Sequence, residues 1–384
     1  MVDVAGEAAA RSADHPSDAE VELLWAGAST APDVRRVAAA ARDARLEYVL
    51  DVADRQRVGP LLLRSLGSAG VDVETLRSDA IGRAQLWGAH AKLALPAAAT
   101  AALQPLNEAG LRPLVLKGLA LVDRYPAPGL RPMDDIDLLL PREVIRPAAK
   151  VLLGAGWRQI SHQQPDPGYD VALRHPSAPG VPLELHYELA RWQERTNDID
   201  ARRVWAARTP LEVFGRPAWG LPPELELVTL IAHAAKRFHL FRRLLWSVDF
   251  AVVAATPGFD WDAVARIAAD ARCRVATAIG LRLARRVGAT VPDDLLELPP
   301  FIVRSGALAA LLDPTRPFSV HGSQRWLGYV LADDVVGKIR LAGGDLLRPP
   351  RGEPRRQVAA SIARALQRVA PLVARAGLRP RRDV

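Results

Sequence analysis

Residues 114–140 read LVLKGLALVDRYPAPGLRPMDDIDLLL. Two apolar runs, LVL and IDLLL, bracket a segment punctuated by Gly118, Pro126, Pro128, Gly129 and Pro132. Short apolar runs bounded by Gly and Pro predict strands, here DDIDLLL and the LRPLVLKG run that ends in Lys117-Gly118, with a helix, LALVDRY, after the first. The second strand carries Asp135 and Asp137 in an otherwise apolar setting. Side chains alternate faces along a strand, so these two carboxylates share one face, while Asp134, Ile136 and Leu138 take the other. Two acids held so close repel, and burial makes both costlier. A divalent cation removes the conflict, and Mg²⁺ takes carboxylate and phosphate oxygens together.

Downstream, REVIRPAAKVLLGAG predicts a helix ending at Gly154 or Gly156. GWRQISH, GYDVALRH and VPLELHYEL predict three more strands separated by Pro/Gly/Ser turns. Residues 108 to about 190 thus read as an α+β block. In the last strand Glu184, His186 and Glu188 share a face. Placed beside Asp135 and Asp137, Glu184 completes a three-carboxylate site, a type that holds two metals and aligns a hydroxyl for in-line attack at phosphorus.

Lys117-Gly118 is the expected phosphate seat, because glycine lets the backbone approach an anion and a helix N-terminus favours one. The pattern GxxxxGK[ST] is absent, so this is not a P-loop. Lysine is scarce, confined to Lys92, Lys117, Lys150, Lys236 and Lys338, which makes a lysine beside that glycine informative. Arg131, four residues before Asp135, is a further candidate for the triphosphate. Asp134 is expected in a turn or cap. His233, Lys236 and Arg237 lie near one helical face, and Asp249 is expected to cap or to pair with Arg242 or Arg243.

The flanks are helical. Residues 18–107 are rich in Ala, Leu and Arg, with Pro96 expected to kink or split the last helix. Residues 216–345 return to helix after a core at 108–215, with HLFRRLLWSVDFAVVAA among the segments continuing the pattern. Residues 346–384 form a basic linker, an amphipathic helix and a tail, and residues 1–17 are expected to be disordered.

The 384 residues suffice for two or three domains, and with 49% apolar and 24% charged residues the chain reads as globular. The net charge of +8 accompanies abundant Arg, Ala and Pro, which fits a GC-rich coding bias better than a polyanion-binding surface. The single cysteine, Cys273, excludes an intrachain disulfide and a cysteine-rich zinc site. No secretory pattern and no run long enough to span a membrane is present, so a cytoplasmic protein is expected.

A strand ending in Leu116-Lys117-Gly118, then Tyr125-Pro126, Arg131, Asp135-Ile136-Asp137 and Glu184-Leu185-His186 in that order, resembles the uncharacterised nucleotidyltransferase family of the polymerase-beta-like superfamily. His233, Lys236 and Asp249 extend the resemblance, which covers residues 106–255. It implies a small mixed sheet flanked by helices. It also implies metal-dependent transfer of a nucleoside monophosphate to an acceptor, with Mg²⁺, or alternatively Mn²⁺, as the metal and an NTP such as ATP as donor. Asp135 and Asp137 are then metal ligands, and Glu184 is a third ligand or the base for the acceptor hydroxyl. Lys117, Gly118, Arg131 and His186 are then the nucleotide-binding candidates. No serine follows Gly118, a departure from better-known members of the superfamily. The expected acceptor is a small molecule, peptide or protein. The alternatives are a fold that binds nucleotide without reacting and, ranked last, a nucleic-acid nucleotidyltransferase, for which no recognition motif stands in the sequence.

Overall fold

The computed structural model describes residues 16–160, 170–190, 197–236, 239–304, 308, 313–315, 326–333 and 338. The expectations for residues 1–15, for Arg237 and for the 346–384 tail lie outside the described residues.

The punctuated stretch makes the centre of one mixed sheet. β1 (Leu114–Leu116) pairs antiparallel with β2 (Ile136–Leu139). β2 runs parallel to β5 (Ala178–His186), which pairs antiparallel with β4 (Asp170–His175), and β4 with the two-residue β3 (Arg158–Gln159). On the other side β1 runs parallel to β7 (Arg216–Gly220), and β7 pairs with β6 (Thr209–Val213). The order is β3-β4-β5-β2-β1-β7-β6. The α+β class and the mixed sheet agree with the expectation from sequence. The β6–β7 hairpin was not anticipated; its turn, Phe214-Gly215, has both residues at positive φ (49° and 72°), the geometry that a two-residue hairpin turn uses.

Strand alternation assigns the two faces. Val115, Ile136, Leu138, Leu183 and Leu185 point into a core shared with α5 (Asp79–Glu108) and α7 (Ile145–Gly154). Leu114, Leu116 and Leu139 point the other way, into a larger core. That core joins the N-terminal helices α1 (Asp18–Gly27), α2 (Val34–Arg42), α3 (Leu46–Arg55) and α4 (Gly59–Ser68) to α9 (Pro223–Ala234), α10 (Leu244–Ala254), α11 (Trp261–Asp270) and α12 (Arg274–Arg286). Asp137, Glu184 and His186 have the parity of Leu139, so they project toward this second helical layer.

Three local expectations need correction. Of the kink or split expected at Pro96, the split does not occur: one helix, α5, runs through Pro96 and Pro105. Leu95, Ala98, Ala99, Ala102 and Leu106 bury its C-terminal half against the sheet, and this packing outweighs the lost backbone bonds. LALVDRY is not one helix but a single turn, α6 (Lys117–Ala120), followed by a 3₁₀ turn at Val122–Arg124. HLFRRLLWSVDFAVVAA becomes helical only at Leu244; Leu240 and Phe241 adopt positive φ (47° and 53°) in the turn before it.

Local chemistry fixes the helix starts. Ser17 and Glu20 form a reciprocal capping box on α1, and Asp33, Ser78 and Asp260 cap α2, α5 and α11. Among the described residues no helix is long and apolar enough to cross a membrane.

Candidate active site

The sheet register brings the predicted acids together. Asp137 sits directly opposite Glu184 across the parallel β2–β5 pair, and opposite Leu116 across β1–β2. Lys117 follows Leu116, and its Nζ donates to Asp137 Oδ1 at 2.6 Å. His186, one pleat beyond Glu184, brings Nε2 to 2.7 Å from the same Asp137 oxygen and to 3.3 Å from Glu184 Oε2. Asp137 and His186 are buried, Glu184 is half-buried, and ligand atoms of all three lie within 4.8 Å of one another. Asp135 stands just before β2, half-buried at the same cleft.

The electrostatics differ between the two aspartates. Burial first, then the Asp137 carboxylate, pushes Asp135 up to about 6. Burial also opposes ionisation of Asp137, but Lys117 and His186 overcome it and hold that carboxyl well below the usual range. The His186 hydrogen bond, working against burial, lowers Glu184. His186 itself is raised: burial disfavours its cation, but Asp137 and Glu184 more than compensate. Carboxylate oxygens and an imidazole converge at one point, the donor set that a divalent cation takes, and the Lys117 ammonium is the counter-ion of Asp137 there.

Lys117 takes a left-handed backbone, φ 52°, which costs a non-glycine residue roughly 1–2 kcal/mol. Gly118 does not precede the helical turn as a phosphate-binding loop would; it lies inside that turn and is buried. A Cβ there would overlap the Arg131 guanidinium and come within 2.5 Å of the Met133 sulfur. The glycine therefore makes room for side chains behind the cleft.

Arg131 also lines the cleft, but two of its nitrogens are committed. Nε and Nη2 donate to Asp249 Oδ1 and Oδ2, each at 2.8 Å. Tyr125 OH donates to the same carboxylate at 2.6 Å. Asp249 thus pairs with Arg131, not with Arg242 or Arg243. Asp134 accepts from Arg57 at 2.6 Å, so the structure gives it an ion pair and not the turn or cap that was expected. Arg57 was not foreseen, because one arginine among so many carries no signal. Deeper down, Arg124 donates to Glu226 at 2.7 Å, and burial pushes Glu226 up to about 7 despite that partner.

Arg57, Lys117, Arg131, Asp135, Asp137 and Glu184 line one cleft of about 510 Å³, within the range of small-molecule and cofactor sites. His233, Lys236, His239, Arg243 and Trp246 line it as well. His233 and Lys236, expected more readily as a cluster on a helix surface, line the cleft instead; His239 and Trp246 were not singled out. Lys236 donates to the Leu189 carbonyl at 2.5 Å, which ties α9 to the chain after β5.

Compared with known proteins, the chain matches the sequence model of a family described as uncharacterised nucleotidyltransferase over residues 42–288. The span takes in α3 through α12, and with them every cleft residue named above. No curated protein and no solved structure matches the chain.

Proposed function

Because the chain belongs to the uncharacterised nucleotidyltransferase family, we propose that it transfers a nucleoside monophosphate from an NTP to a hydroxyl on a small molecule, peptide or protein. The observation that carries this reading is the convergence of Asp137, Glu184 and His186 on one point, with Asp135 and Lys117 beside it, at the floor of a cleft. Asp135, Asp137 and Glu184 are the metal ligands in this reading, with His186 within reach of the same position. The metal, Mg²⁺ or Mn²⁺, supplies charge neutralisation at the phosphates. Lys117 adds a compact cation at the phosphate end of the cleft, and its strained backbone holds that ammonium against Asp137. Gly118 and Arg131 shape the adjoining wall. Glu184, the most exposed of the three cluster residues, is in this reading also the base that accepts the proton of the acceptor hydroxyl. The acceptor oxygen forms a bond to the α-phosphorus, the bond to the pyrophosphate oxygen breaks, and pyrophosphate leaves.

The test requires no knowledge of the acceptor. A nucleotide at about 100 times its dissociation constant stabilises the folded state by roughly 2.7 kcal/mol. Thermal unfolding of the wild type with each NTP is expected to rise only when Mg²⁺ or Mn²⁺ is present. Asp137→Asn and Glu184→Gln are expected to lose that rise. The second variant alters a half-buried group and so separates a lost ligand from a damaged core. An undiminished metal-dependent rise in both variants would refute the assignment of these acids.

A further inference from the structure

Another part of the cleft lining has a different chemistry. His233 from α9, His239 from the turn after it and Trp246 from α10 all line it, and all three are half-buried. The two imidazole centroids are 4.5 Å apart, and the Trp246 ring lies 5.2 Å from His239 and 5.9 Å from His233. His233 stands edge-on to Trp246 at 90° while His239 is tilted 36° to it, and the Arg243 guanidinium carbon sits 5.8 Å from the Trp246 centroid. A cluster serving packing alone would be sealed from solvent, as Phe250 beside it is at 1% exposure. These rings instead keep part of their surface on the cleft.

They are also uncharged. His239 Nδ1 lies 3.0 Å from the His233 carbonyl, which only accepts, so Nδ1 carries the hydrogen. Burial, then Lys236, holds both imidazoles below their ordinary value, His239 down to about 4. The rings themselves offer a phosphate no charge, with Lys236 and Arg243 standing beside them, whereas Lys117 pairs with the acids in the same cleft. A nucleoside triphosphate is divided in the same way, into a charged chain and a flat, neutral base.

We propose that this ring wall seats the nucleobase of the donor, with Trp246 and His239 as the stacking surface; the inference rests on the nucleotidyl-transfer reading above. Base-on-ring stacking is sequence-tolerant because every base has a π-face. The wall therefore contributes affinity for nucleotides as a class and leaves the choice among bases to edge contacts.

The experiment compares ATP with inorganic tripolyphosphate, which has the charged chain and no base. Affinities of both are measured by calorimetry with Mg²⁺ for wild type, Trp246→Leu, Trp246→Phe and His239→Leu. Trp246→Leu and His239→Leu are each expected to weaken ATP about tenfold or more, with tripolyphosphate unchanged within about twofold. Trp246→Phe, which keeps a ring, is expected to recover most of the loss and covers the case in which the leucine variant folds poorly. Equal loss for both ligands, or no loss for ATP, would overturn the inference. So would a wild type that binds tripolyphosphate and ATP equally well, since the base would then add nothing. If neither ligand binds the wild type, the nucleotide reading itself fails and this inference falls with it.

Discussion

Asp249→Ala would remove one carboxylate that three donors share. Arg131 and Asp249 are 9% and 1% exposed at their side chains, and two 2.8 Å bonds join them. Tyr125 OH adds a third bond to the same group. Without the carboxylate, a buried guanidinium stands uncompensated and the phenol hydroxyl loses its acceptor. Breaking a buried pair from one side costs about 3–5 kcal/mol, a large part of the roughly 5–15 kcal/mol that holds a typical domain. Replacing the whole group by apolar side chains is a different perturbation, since it removes both charges and the polar partner together. Arg131→Met with Asp249→Leu and Tyr125→Phe is therefore expected to recover most of the loss, within about 1–2 kcal/mol of wild type. The assay is urea unfolding followed in parallel by circular dichroism and tryptophan fluorescence, with coincident transitions required before free energies are compared. A cost below about 1 kcal/mol for Asp249→Ala would show that solvent reaches the pair. A triple variant no more stable than Asp249→Ala would show that the cost came from packing and not from a stranded charge.

Gly118→Ala should place a methyl against Arg131 and the Met133 sulfur, an overpacking of about 1–3 kcal/mol that thermal unfolding reads directly. It should also weaken nucleotide binding, because the same side chains form the cleft wall. The acid limb of stability should depend on Glu20. Its carboxylate accepts from the Arg45 side chain, from Ser17 N and from Arg45 N, which lowers it from 4.5 to about 2. A depressed carboxyl contributes stability above pH 4.5 and loses it as pH falls toward 2. With Arg45 nearly half exposed, screening reduces the effect to about 1–2 kcal/mol. Glu20→Gln should flatten denaturation midpoints across that window, and an unchanged slope would contradict the assignment.

Much of the site was legible because it is written along strands. Alternation placed Asp135 with Asp137 and Glu184 with His186, and one register then set Asp137 against Glu184. What stayed hidden was written between distant segments. Arg131 meets Asp249 across 118 positions, and Arg57 meets Asp134 across 77. In an arginine-rich chain, no local pattern selects which arginine makes such a contact. The ring wall was hidden for a related reason: His239 reaches it from a turn whose positive φ values fall on Leu240 and Phe241, residues that give no turn signal. The Phe214-Gly215 hairpin was more readable, since its glycine lies between two short runs that pair in register.

The core that α1–α4 share with α9–α12 joins segments at residues 18–68 and 223–286. On a ribosome those two groups emerge roughly 150–200 residues apart, so at about 5–20 residues per second the first helices wait on the order of 10–40 s for their partners. During that interval Leu23, Leu24, Leu50 and Leu62, all buried in the finished molecule, lack the part of their cover that α9–α12 supply. The acids on β2 and β5 can be assembled earlier, but the roof over them arrives last. Late synthesis, rather than the sheet, therefore sets the moment at which the cleft acquires its shape, and a pause or premature stop between the two groups would release a chain with its clustered carboxylates in place and its ring wall missing.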